Sequence, residues 1–165
     1  MSLFARVETT KNTEEKIEEV YQEKGENTNN ELWQIQIPKI DLIADISEGT
    51  SQEILNKYVG HFEGTQKENG NVGLAAHNRG YDVNYFARLK ELGLGDEIIY
   101  IVNGNKKEYE ISLITIIEDT EWTNLENTND NRLTLITCLE NEPSKRRCIQ
   151  AKEKEKKWIE LNKRF

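Results

Sequence analysis

Cys138 stands where an apolar run gives way to polar residues. In RLTLITC (132–138), strict alternation puts Leu133, Leu135 and Thr137 on one face of a strand and Thr134, Ile136 and Cys138 on the other. The polar stretch Glu140-Asn141-Glu142-Pro143-Ser144 follows, so the thiol is expected at a strand end, at the mouth of a loop, where a substrate can reach it. His77 occupies a matching position. In VGLAAH (72–77), Val72, Leu74 and Ala76 share one face and Gly73, Ala75 and His77 the other, just before the turn residues 78–80. His61 is a second candidate imidazole. In RRCIQA (146–151), Ile149 and Ala151 share a face with Arg147, whereas Arg146, Cys148 and Gln150 share the opposite one. With the apolar pair toward the core, Arg146 is the arginine expected in a polar cleft. A short hairpin loop from Cys138 to a neighbouring strand opened by Arg146 would bring the two side chains together.

Each residue alone has an ordinary explanation: a packed thiol, a hydrogen-bonded surface histidine, a solvated strand edge. Together they can do chemistry. A thiolate is the nucleophile, and a nearby imidazole or guanidinium activates or stabilises it. The tetrahedral intermediate of acyl transfer needs a preorganised donor for its oxyanion, which a guanidinium supplies. Cys148 reads as a small packed residue, because a redox pairing with Cys138 would block that chemistry.

The elements that must position these residues are mostly short strands. Residues 32–40 alternate Leu32/Gln34/Gln36 against Trp33/Ile35/Ile37, with a bend or edge at Pro38. Residues 41–46 continue extended, and residues 51–58 predict a short helix capped by Ser51. After the strand ending at His77, Tyr85, Phe86, Leu89 and Leu92 at helical spacing predict a helix over 82–92, capped by Asp82. Strands are expected over 97–102 and 107–118, joined by the hairpin signal Asn103-Gly104. A polar loop over 119–131 and the strands carrying Cys138 and Arg146 follow. Seven or eight strands with two or three short helices and no strand–helix repetition predict a mainly β barrel or sandwich. Residues 1–30 read as a helix (13–24) and polar linker, residues 31–152 as the catalytic domain, and residues 153–165 as a charged tail.

Composition excludes several classes. The chain has 165 residues, 32% charged, with 22 basic against 30 acidic side chains and a net charge of −8, a balance that argues against nucleic-acid binding. Its longest apolar stretch is far short of a membrane helix, and no signal-peptide pattern opens it. Two cysteines and two histidines cannot build a disulfide framework, and would make a four-ligand zinc site only if all four joined it.

One resemblance is specific. TLITC (134–138), followed a few residues on by an arginine that opens a strand, resembles the signature of the sortases. NVGLAAHNRG (71–80) resembles the family's strand ending in its catalytic histidine, and GHFEGT (60–65) and LGLGDEIIY (92–100) are similar to further family segments. The resemblance covers residues 32–152. It implies a closed eight-stranded β-barrel carrying a cysteine transpeptidase. Such an enzyme cleaves an LPXTG-like sorting signal between Thr and Gly, holds the acyl half as a thioester, and transfers it to an amine of cell-wall peptide or a pilin lysine. Carried over, Cys138 is the nucleophile, His77 the general acid/base and Arg146 the oxyanion stabiliser. Arg146 also has the family's spacing of five residues to a small one, here Ala151. Ile136, Thr137 and Asn78 are expected at the substrate groove. No cofactor is implied; calcium supports some relatives, but no loop here has a calcium-site pattern. The family implies the outer face of a Gram-positive cell membrane, reached through an N-terminal anchor that is expected to be missing from this sequence, with residues 9–30 suited to a stalk. The 119–131 loop is too short for the long helical insertion of one class, which favours compact-loop classes such as class D. Two alternatives remain: a cysteine peptidase on the same barrel that releases its product to water, and a non-catalytic adaptor that only binds the sorting peptide.

Overall fold

Period-two alternation carries most of the chain into strands whose apolar faces close on one another. The computed structural model describes residues 32–155. Its strands are β1 (Gln34–Ile37), β2 (Leu42–Glu48), β3 (Val59–His61), β4 (Asn71–Ala75), β5 (Glu97–Val102), β6 (Asn105–Glu118), β7 (Arg132–Leu139) and β8 (Glu142–Glu153). They form a closed barrel in the order β1-β2-β3-β4-β7-β8-β6-β5, the eight-stranded architecture expected. Closure leaves no free sheet edge. The pairs β2–β3 and β4–β7 are parallel and the others antiparallel. Inside lie the predicted apolar faces: Ile35 and Ile37, Val72, Leu74 and Ala76, Leu133 and Leu135, and Ile149 and Ala151, all buried.

The Asn103-Gly104 turn behaves as the dipeptide predicts. Both residues have positive φ (49° and 76°), the backbone whose twist matches a hairpin. Ser51 caps helix α1 (Gln52–Leu55) by accepting the Ile54 N–H at 3.3 Å.

Three expectations change. The strand from Val72 stops at Ala75, so His77 lies two residues past its end. The β7–β8 hairpin closes at Glu140-Asn141, with Asn141 at φ 63°, so Arg146 sits within β8 rather than opening it. Residues 82–92 are not a helix: only Leu89–Glu91 forms a 3-10 turn. Local bonds compete with the helix ladder there. The Phe86 N–H donates to the His77 carbonyl at 3.0 Å, and the Asn84 amide donates to the Tyr81 carbonyl at 2.7 Å. Phe86 and Leu89 reach the core all the same.

The segments expected at 1–30 and most of the tail lie outside the described residues; β8 runs one residue into the expected tail, to Glu153. Among the described residues no helix is long and apolar enough to cross a membrane.

Candidate active site

Barrel register decides which side chains meet. Because β4 and β7 run parallel, their C-terminal ends lie at the same end of the barrel, and β8 turns back from there. Cys138 on β7 pairs with Arg146 on β8, and Arg146 pairs on its other side with Ile117 on β6. Directly opposed residues of antiparallel strands point to one face with Cβ atoms about 4.5–5.5 Å apart. The result is a row on the outer face, and His77, two residues past the Ala75–Ile136 pair, opens onto the same cleft. His77, Cys138, Arg146 and Ile117 line one cleft, with Phe62, Ile136, Tyr81 and Trp122 among its other walls.

A register shift in β6 between Ile111 and Leu113 makes this row possible. Without it Ile111 and Ile117 would face the same way. With it, Ile111 packs in the barrel core while Ile117 joins Ile136 and Cys148 in a second, outer cluster, covered by Phe62 and Leu125. That cluster forms the cleft's apolar floor. Gly73 admits the cover: a Cβ there would sit 2.7 Å from Leu125 Cδ2 and 3.1 Å from Phe62 Cδ2. Cys148 is fully buried beneath it, and burial pushes its thiol up, which leaves it an unreactive packing residue.

The three candidate reactive groups differ in environment. Cys138 is exposed. His77 is half-buried, and its Nε2 has no hydrogen-bond partner among the described residues. Burial holds this imidazole below the ordinary histidine range, which favours the form able to accept a proton. Arg146 donates through Nη1 to the Pro143 and Lys145 carbonyls, both at 2.8 Å. Those bonds anchor the guanidinium and leave Nε and Nη2 without protein partners among the described residues. Arg147 faces the other way and pairs with Glu140 at 3.5 Å.

The three expected groove residues divide. Ile136 supplies floor. Thr137 contributes to the lining, but its hydroxyl donates to the Ala76 carbonyl at 2.7 Å and ties the His77 segment to β7. Asn78 is not among the lining residues: its buried amide donates to the Cys138 carbonyl at 2.7 Å and to Glu140 Oε1 at 3.3 Å. It holds the backbone of the cysteine rather than facing a ligand. His61 is also away from the cleft, buried, with Nδ1 2.7 Å from Glu48 Oε2 and Nε2 2.8 Å from the Gln66 carbonyl.

Sequence reasoning missed the far wall. Trp122, on the loop after β6, stands 59% exposed and packs edge-on against Phe62. Glu118, Asp119 and Glu121 add an acidic rim, with Glu118 ion-paired to Lys145. Buried polar residues fasten this loop to the barrel. Asn71 donates through Nδ2 to the Asn124 and Glu126 carbonyls at 2.8 Å and accepts the Thr134 hydroxyl at 2.6 Å. Gln150 donates to the Asn124 carbonyl and to Thr134 Oγ1, both at 3.1 Å. An isolated polar residue at the start of a strand gave the only signal, visible in Asn71 preceding VGLAA. Asn71→Ala removes the side-chain donor of the Glu126 carbonyl and one partner each from the Asn124 carbonyl and the Thr134 hydroxyl, which keep their bonds to Gln150. It is expected to lower unfolding free energy by about 1–3 kcal/mol. Urea denaturation reads this; a change under about 0.5 kcal/mol would show that water replaces the network without loss.

Among the described residues no three His, Cys, Asp or Glu side chains converge so as to hold a metal ion.

Comparisons with known proteins bear on the whole barrel. The family model described as "Sortase domain" matches residues 35–154. Sortase A of Bacillus anthracis is 26% identical over 121 residues, covering 73% of this chain and 58% of that protein. Sortase D of Bacillus subtilis is 32% identical over 108 residues, covering 63% and 52% respectively. Among solved structures, sortase A from Corynebacterium diphtheriae superposes with a TM-score of 0.72 at 25% identity, covering 79% of this chain and 64% of that one. The chain thus spans little more than half the length of the curated relatives it matches.

Proposed function

The chain belongs to the sortase family, and from that premise we propose that it is a cysteine transpeptidase acting on an LPXTG-like sorting signal. One observation carries the reading: a thiol, an imidazole and an anchored guanidinium line a single cleft above an apolar floor. Binding a peptide requires none of those three groups together, which sets the adaptor reading behind.

In the proposed cycle Cys138 Sγ attacks the carbonyl carbon of the signal's Thr, its proton passing to His77. The tetrahedral oxyanion accepts hydrogen bonds from Arg146. As the Thr–Gly bond breaks, His77 returns the proton to the departing Gly amine, leaving a thioester on Cys138. An incoming amine then attacks the thioester carbonyl and gives up a proton through His77. The new amide leaves and the thiol is regenerated. Asn78 and Thr137 serve by holding the strand ends, and Ile136, Phe62 and Trp122 supply apolar surface for the signal.

The proposed acceptor is an amine of cell-wall peptide or of a pilin lysine. The proposed location is the outer face of a Gram-positive cell membrane, with any anchor outside the residues described. No resident cofactor enters the cycle. Product analysis of a sorting-signal peptide with and without an added amine tests the reading. The transpeptidase predicts an amide product that takes over from hydrolysis as amine rises; release of free acid alone, unchanged by amine, would make the protein a peptidase.

A further inference from the structure

Four residues beyond His77 the chain folds back on itself. Gly80, at φ 82°, makes the turn. The Tyr81 ring then lands face-on against the His77 imidazole, centroids 3.5 Å apart and planes 7° from parallel. The placement is built, not incidental to an exposed loop. The Tyr81 N–H donates to Asn84 Oδ1 at 3.3 Å and the Asn84 amide returns a bond to the Tyr81 carbonyl at 2.7 Å. The same loop is pinned at its far end, where Phe86 is buried in the core and its N–H donates to the His77 carbonyl at 3.0 Å. Tyr81 nonetheless lies 45% exposed and lines the cleft. A large ring left half in water buries little apolar area for the fold, and its hydroxyl makes no hydrogen bond to protein among the described residues. Among the described residues its one aromatic stacking partner is the imidazole.

We propose that Tyr81 is a positioning residue for His77: its ring fixes the plane of the imidazole and covers one of its faces, so that the imidazole is held in the orientation in which it exchanges a proton. The inference rests on the acyl-transfer reading. His77 lies past the end of β4, outside the strand ladder, so the backbone alone does not set its ring plane. With the ring tilting freely, proton transfer to and from sulfur and amine would require a rare orientation, and misplacement by about 1 Å can cost on the order of 10²-fold. The effect belongs to the ring and not the hydroxyl, so phenylalanine preserves it and a flat-faced partner is needed where leucine offers none.

The test compares the parent, Tyr81→Phe and Tyr81→Leu, with equal thermal melts as the check of folding. The imidazole C–H signals of His77 are read by NMR in the resting protein, and kcat and KM with a sorting-signal peptide and an amine. The expected result is an upfield ring-current displacement of the His77 signals that Tyr81→Phe keeps and Tyr81→Leu loses. With it comes a fall in kcat of about 10–100-fold in Tyr81→Leu, KM changing little, and near-parent turnover in Tyr81→Phe. Undiminished kcat in Tyr81→Leu overturns the proposal. So does a loss confined to KM, which would make Tyr81 a substrate contact, or an equal loss in Tyr81→Phe. A parent inert toward every peptide and amine pair overturns the acyl-transfer reading instead, and the NMR signals then still report whether the ring holds His77.

Discussion

Cys138→Ala is expected to fold as the parent does and to lose turnover of a sorting-signal peptide by about 10⁴–10⁶-fold, the scale on which removing a nucleophile from an acyl-transfer site acts. The two halves of that expectation have separate causes. Stability is spared because the thiol is exposed. The strand end is held through the Cys138 carbonyl, which still accepts from Asn78 after the side chain is gone. Activity is lost because no neighbouring group can replace sulfur: Cys148, the other thiol, is sealed beneath Ile117 and Ile136 with its ionisation suppressed by burial. Cys138→Ser is expected to recover little, since a hydroxyl of ordinary acidity is a far weaker nucleophile than a thiol at the same place. Turnover by chromatography and melting by circular dichroism read both halves. Activity above about one per cent of the parent in a Cys138→Ala protein would remove Cys138 from the chemistry.

The adjacent arginines supply a sharper contrast. Arg146→Ala is expected to reduce kcat about 10²–10³-fold, the usual consequence of deleting an oxyanion donor. Arg147→Ala is expected to leave kcat within about threefold of the parent. The two differ only in face. Arg146 shares the outer row with Cys138 and Ile117, its guanidinium steadied by the Pro143 and Lys145 carbonyls. Arg147 points to the other side of β8 and meets Glu140. Losing that pair costs stability by about 1 kcal/mol or less, with the chemistry unaffected. Arg146→Lys is expected to recover only part of the loss, because a point charge on a flexible stem lacks the planar fork that the two carbonyls hold in place. Equal losses in both alanine variants would mean that net positive charge near the cleft matters and not a directed donor.

Alternation explains why so much of the site could be read before any fold was known. Cys138, His77 and Arg146 each sit on the face opposite a run of aliphatic residues, and a closed barrel turns every such face outward. Once β7 and β8 pair antiparallel, Cys138 and Arg146 come within reach. The two-residue turn at Glu140-Asn141 alone would set Cys138 against Pro143, and a register shift between Cys138 and Leu139 brings Arg146 there instead. The features that escaped are those without a period. The shift between Ile111 and Leu113 changes the facing of Ile117, yet ISLITII reads as an unbroken strand. Residues 82–92 have helical spacing, but Asn84 and the His77 carbonyl capture the backbone groups a helix would use. Asn78 has the polarity of a ligand-binding residue, and only the fold reveals that its amide is engaged by the Cys138 carbonyl. Trp122 and the Asn71 network belong to a loop whose path depends on partners more than 50 residues away, as the Asn71–Asn124 bond illustrates.

The most direct test of the account is the intact mass of the protein after mixing with a small panel of LPXTG-like peptides, with Cys138→Ala beside it. The account predicts a mass increase equal to the acyl half of a cleaved peptide, absent from Cys138→Ala, reversed when an amine is added and accompanied by the amide product. A parent that takes up no acyl group from any peptide, while its Cys138 remains open to alkylation, would contradict it.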